Sequence, residues 1–163
     1  MICRGIGQLD FRQLMDVYEE TNRLTGKREY PKKTENLQIL FAEQDFYSYL
    51  ELFFGDPKAR YAVWVTDGVY MAALRMEQYR DGLLITALEV PVEARRKGVA
   101  THFLEAVKTY CKENATGPLY SHVDKENLPS LRVHNKCGFS VIGEEATFLD
   151  GSIHKDHVTL YWN

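Results

Sequence analysis

Two Asp-Gly pairs, Asp67-Gly68 and Asp81-Gly82, fall between short apolar runs and constrain this chain more than any other feature. Asp-Gly suits the tight turns with positive φ that join antiparallel strands, because the twist of such turns matches that of the strands they connect. The flanking runs therefore predict three consecutive antiparallel strands, Arg60 to Thr66, Val69 to Tyr79 and Leu83 to Val90. Upstream, Asp10 with Gln13 resembles a capping box, and Leu14, Val17, Tyr18 and Leu24 recur at helical spacing, predicting one helix up to Gly26. A second helix starts at the N-cap candidate Thr34, carries Leu37, Leu40, Phe41, Tyr47, Leu50 and Phe54, and stops at Gly55-Asp56-Pro57.

Beyond the third strand the pattern becomes helical from Val99 to Glu113. Pro118 then breaks the chain before a short strand, Leu119 to Val123, and a fourth helix runs from about Asn127 to Cys137, closed by Gly138. A last hairpin turning at Asp150-Gly151 adds two strands through Tyr161. The expected fold class is α+β: a mixed, mostly antiparallel sheet of about seven strands flanked by about four helices, in one domain spanning residues 1–163.

With 45% apolar residues, 163 residues bury a substantial core without staples. The net charge of -3 shows no basic excess of the kind that nucleic-acid or membrane-surface binding requires. Cys3, Cys111 and Cys137 are widely spaced and odd in number, which reads as reduced thiols in a cytoplasmic protein. His154 and His157 are placed on one strand, where a separation of three sends them to opposite faces, so no metal is expected.

The stretch Arg95-Arg96-Lys97-Gly98-Val99-Ala100 joins the third strand to the third helix. A glycine lets an anion approach the backbone there, and the free amides and dipole at the start of the helix favour negative charge. The residues leading into it are Leu88-Glu89-Val90-Pro91-Val92-Glu93-Ala94, and a second segment downstream runs from Asn127 to Gly138-Phe139. Together they resemble the two signatures of the GNAT superfamily of acetyl-CoA-dependent N-acetyltransferases, clearly from about Tyr61 to Phe139 and weakly in the N-terminal third.

The resemblance implies a GNAT fold, in which the strands ending at Val90 and starting at Leu119 run parallel and splay apart around the pantetheine arm of acetyl-CoA. It assigns the pyrophosphate to the amides around Arg96, Lys97, Gly98, Val99, Ala100 and Thr101, with counter-charge from Arg95 and Lys97. The arm is assigned to the backbone of Leu88 and Val90, and to Asn127 and Ser130. Two residues are catalytic candidates. Glu89 alternates with Leu88 and Val90 and so faces the other way, as a base for the acceptor amine. His134 stands where many relatives carry a tyrosine, as an imidazolium able to protonate the departing thiolate.

No cysteine or serine sits in a recognisable nucleophile–base arrangement, so the acetyl group passes directly to a primary amine of a small molecule or peptide. Two alternatives remain open: an acyltransferase using another acyl-CoA, and a non-catalytic acyl-CoA-binding or regulatory module of the same fold. Glu43, Asp45, Phe46, Tyr47 and Tyr49 are candidates for the acceptor pocket, and Tyr120, Ser121 and His122 lie on the splayed strand with their sides unassigned. The oligomeric state is open, a homodimer being one option.

Overall fold

The computed structural model describes residues 1–163. A short strand β1 (Ile2–Cys3) precedes the three strands that the Asp-Gly turns predict, β2 (Arg60–Thr66), β3 (Val69–Tyr79) and β4 (Gly82–Glu89), which pair antiparallel in that order. β5 (Leu119–Asp124) lies parallel to β4, and β9 (His157–Trp162) pairs antiparallel with both β5 and β6 (Ser140–Gly143). The seven strands form one sheet in the order β1-β2-β3-β4-β5-β9-β6. A backbone bond from Leu83 N–H to the Pro118 carbonyl, 2.9 Å, fixes the start of the parallel pair.

Two expectations are corrected. The predicted first helix is two helices, α1 (Phe11–Val17) and α2 (Glu19–Glu29), parted at Tyr18. Gly26 does not end the helix: it is buried where α3 (Glu35–Phe53) passes, and a Cβ there would lie 2.3 Å from the Gln38 carbonyl oxygen. That glycine serves close helix packing rather than termination. The Asp150-Gly151 turn joins only a separate two-stranded sheet, β7 (Ala146–Thr147) with β8 (Ile153–His154), and β9 returns to the main sheet after a second turn.

One sheet face packs against α4 (Val99–Glu113) and α5 (Leu128–Lys136) in a cluster of sixteen buried residues that includes Leu74, Ile85, Leu104 and Leu160. The opposite face is divided. A cluster of twelve joins Tyr61, Val63 and Ala73 to Leu14, Tyr18 and Leu50 from the first three helices, and a second cluster holds Tyr79, Leu84 and Tyr120. The β7–β8 hairpin covers the second cluster, with the Tyr79 hydroxyl donating to the Thr147 carbonyl at 3.1 Å.

Candidate active site

The pairing of β4 with β5 stops after Leu83↔Leu119, Leu84↔Tyr120 and Ile85↔Ser121, although the strands continue to Glu89 and Asp124. The two strands therefore splay as expected. The departure coincides with a bulge: Arg75 pairs with Thr86 and Ala73 with Glu89, so Ala87 and Leu88 together oppose Leu74. Ala87 has φ 49°, a left-handed conformation rare for a non-glycine residue. A hydrogen-bond chain supports it. The Tyr61 hydroxyl donates to that of Tyr18 at 2.9 Å, and Tyr18 donates to the Ala87 carbonyl at 2.8 Å.

The bulge decides which way Glu89 faces. In an unbroken strand of this sequence Glu89 would share a face with Leu83 and Ile85, but the bulge absorbs Ala87 and so keeps Leu88 and Val90 in the α4/α5 cluster and Glu89 on the other side. There the Thr21 hydroxyl of α2 donates to Glu89 Oε1 at 2.9 Å. Burial raises the Glu89 pKa above the ordinary carboxylate range; the Thr21 bond and the positive charge of Arg95 oppose that shift, and Glu20 adds to it.

Gly98 is the N-cap residue of α4, in the left-handed region at φ 80°, and no side chain caps the helix. The first turn-to-turn bond runs from His102 N–H to the Gly98 carbonyl, so the amides of Val99, Ala100 and Thr101 precede the first α-helical bond. Arg96 and Lys97 are exposed and carry no ion pair. Arg95 is placed otherwise than the phosphate counter-charge role suggests. Its Nε donates to the Val90 carbonyl at 2.9 Å and its Nη2 to Glu20 Oε2 at 2.5 Å, tying the loop to α2.

On α5, Asn127 is an N-cap whose side chain accepts from Ser130 N–H at 3.1 Å. His134 is 1% exposed, with Nδ1 at 2.9 Å from the Ser130 carbonyl oxygen and at 3.4 Å from the Ser130 hydroxyl. A carbonyl only accepts, so Nδ1 carries the proton and Nε2 carries the lone pair. Nε2 is enclosed without a partner. Burial lowers the His134 pKa despite the Ser130 bond, so the imidazolium expected from sequence is not the resting form near neutral pH. Because Nδ1 is committed to the carbonyl, Ser130 and His134 form no nucleophile–base pair.

The divided face runs between its two clusters as a polar strip. Arg75 and Glu77 of β3, Thr86 and Glu89 of β4 and His122 of β5 are all half-buried on it, and Tyr49 of α3 stacks on Arg75 at 4.5 Å. Of the expected pocket residues, only Tyr49 reaches the strip. Phe46 packs into the core, Asp45 accepts from the Tyr30 hydroxyl, and Glu43 and Tyr47 line a separate surface depression with Phe11. Tyr120 belongs to the divided face, whereas Ser121, one residue on, points to the α4/α5 face, where it is buried.

Thr21 and Arg75, and the hydroxyl of Tyr18, are site groups that the sequence motifs do not point to. Only Arg75 has a signal in the sequence: Arg75 and Glu77 alternate with Leu74 and Met76, a polar face inside a central strand. The His154–His157 expectation is also corrected. The turn between β8 and β9 brings their rings to 5.5 Å, and their ligand atoms lie with that of Asp156 within 4.8 Å of one another.

The family model for the acetyltransferase (GNAT) family matches residues 11–139, more than half of the chain. No curated protein matches the chain. Among solved structures, the ribosomal-protein-alanine N-acetyltransferase from Brucella melitensis aligns with TM-score 0.66 at 16% identity, covering 99% of this chain and 98% of that one. An aminoglycoside 6'-acetyltransferase type Ii aligns at 0.65 and 16%, covering 100% and 96%. The PaiA N-acetyltransferase from Thermoplasma acidophilum, in complex with coenzyme A, aligns at 0.65 and 14%, covering 99% and 96%. At these identities the likeness is one of fold, and it covers the whole sheet. A splayed parallel pair, a bulged strand before a glycine-capped helix, and the match over residues 11–139 lead to one conclusion: this chain belongs to the GNAT acetyltransferase family.

Proposed function

We propose that the chain is an N-acetyltransferase that moves the acetyl group of acetyl-CoA directly to a primary amine. The observation that carries this reading is Glu89, a half-buried carboxylate beside the splay, fixed by Thr21 and facing away from Leu88 and Val90. The solved neighbours in complex with coenzyme A or acetyl-CoA support the donor.

In this reading the amides of Val99 to Thr101, with Arg96 and Lys97, hold the pyrophosphate, and the open backbone of Leu88 and Val90 holds the pantetheine arm beside Asn127 and Ser130. The ammonium of the acceptor first loses one proton to solvent water, and a second leaves the nitrogen as the C–N bond forms. The free amine attacks the thioester carbonyl carbon, a C–N bond forms, and the C–S bond breaks with its electron pair leaving on sulfur. Glu89 accepts the second proton shed by nitrogen, and the thiolate takes one from solvent. A raised pKa suits Glu89 to this role, because a more basic carboxylate removes a proton more readily. His134, with its proton on Nδ1 toward the Ser130 carbonyl and Nε2 enclosed, is not assigned the proton to sulfur in this reading.

Thiol release from acetyl-CoA over a diverse amine panel tests the reading. In Glu89→Gln, kcat is expected to fall by about 10² to 10⁴ with acetyl-CoA affinity unchanged, and the rising limb of the pH profile is lost. Acetyl-CoA binding with no amine-dependent release would identify an acyl-CoA-binding module instead.

A further inference from the structure

Arg75 lies on β3 between Tyr61 of β2 and Thr86 of β4, on the same face as Glu89. It is half-buried, and its guanidinium stacks on the Tyr49 ring at 4.5 Å. None of its nitrogens makes a hydrogen bond or ion pair within the protein. Nε is enclosed without a partner, while the terminal nitrogens are also unbonded but reach solvent. The only other half-buried arginine, Arg60, likewise has an enclosed Nε without a partner, but its Nη1 donates to the Lys58 carbonyl. Partial burial of a guanidinium is unfavourable without an anion, and stacking on one tyrosine offsets it only in part.

The carboxylates near Arg75 are engaged elsewhere. Glu77, on the same strand face, accepts from the Thr86 hydroxyl at 3.2 Å, and Glu89 accepts from Thr21 at 2.9 Å. In the sheet register Arg75 pairs with Thr86 and Ala73 with Glu89, two positions apart along β3 on the same face. A positive and a negative group thus lie close together on one strip, the first lacking an anion and the second placed to receive an ammonium. Guanidinium is the side chain best matched to a carboxylate, through two parallel N–H bonds.

We propose that Arg75 is a carboxylate subsite, and that the acceptor is an amino acid or a similarly small amino-carboxylate whose amine meets Glu89 while its carboxylate meets Arg75. This rests on the N-acetyltransfer reading above and adds the substrate class. The bonds made and broken are those already described, the carboxylate staying ionised throughout. Arg75 sets specificity, and Tyr49 holds its plane.

The test compares each amino acid with its carboxamide and its decarboxylated amine as acceptors. The parent enzyme is expected to favour the free carboxylate in kcat/KM on the order of ten- to a hundredfold, the range for a hydrogen-bonded charge left unpaired. In Arg75→Met the preference should shrink to within about threefold, chiefly through KM, with acetyl-CoA affinity unchanged. Arg75→Lys keeps the charge, serves as a second variant if the methionine form does not fold, and should retain part of the preference. Equal rates for acid and carboxamide in the parent, or an unchanged preference in Arg75→Met, would overturn the proposal and leave N-acetyl transfer standing. If no amine is turned over although acetyl-CoA binds, N-acetyl transfer fails, and the subsite is then read by NMR titration of N-acetylglycine against N-methylacetamide into the coenzyme A-loaded protein. Preferential binding of N-acetylglycine that is lost in Arg75→Met supports the subsite; equal binding of the two probes overturns it.

Discussion

The two faces of the sheet are built differently. With α4 and α5 one face of the sheet shares an apolar cluster of sixteen buried residues that contains no charged side chain. The other face is divided, a cluster of twelve shared with the first three helices and a cluster of three under the β7–β8 hairpin, with half-buried Arg75, Glu77, Thr86, Glu89 and His122 between them. The apolar face supplies stability through close packing, whereas the divided face retains polar groups that a folding core alone would not select. Substitutions on the two faces should therefore separate stability from turnover.

The largest effect is expected at the loop that joins β4 to α4, proposed above to hold the pyrophosphate. Gly98→Asp forces a side chain into φ 80° and puts a negative charge before the free amides of α4, so acetyl-CoA affinity should fall by at least about a hundredfold. Calorimetric titration checks this, with circular dichroism confirming the fold. Unaltered affinity would move the phosphate site away from this loop.

Next comes a direct contrast between the faces. Leu104 on α4 is fully buried, and Leu104→Ala should cost about 2 to 5 kcal/mol in urea unfolding. Thr21→Val, which removes the hydroxyl from Glu89, should cost less than about 1 kcal/mol yet lower kcat and shift the rising limb of its pH profile upward, because the bond that favours the carboxylate is gone. A large stability loss in Thr21→Val with an unmoved pH limb would break the comparison.

The smallest effect is a pH dependence of stability. Burial lowers the pKa of His134, and burial with Arg80, His157 and His154 nearby lowers that of His122 to about 4. A depressed histidine binds its proton later in the folded than in the unfolded chain. Its contribution is fully present above about 6.5 and is lost as pH falls from there toward the folded value. Melting temperature should decline over that interval, and His122→Phe should flatten part of the slope.

Much of this architecture could be read from local chemistry. The Asp-Gly turns and the Gly98 junction act over a few residues, so β2 to β4 and α4 stood where the pattern put them. Features depending on distant partners did not. Gly26 looks like a helix stop until α3 is laid across it, and His154 and His157 look like strand neighbours until a turn folds them together. Glu89 was assigned the correct direction from its immediate neighbours, although alternation carried back to Leu83 and Ile85 gives the opposite one. The difference is the bulge, whose left-handed alanine is held by two tyrosine hydroxyls from other parts of the chain.

Ala87 is a surplus residue in a counting sense. Thr86 and Ala87 both face the first three helices, so a chain lacking Ala87 would alternate regularly, keeping Ile85, Leu88 and Val90 on one side and Thr86 and Glu89 on the other. Every side chain would hold its present face. What would change is length: β4 would be shorter by about 3.3 Å and free to run on alongside β5, closing the gap. Acetyl-CoA titration of the deletion variant, set beside its melting curve, reads the two consequences separately. A single codon thus separates a strand that leaves an opening from one that merely completes a sheet.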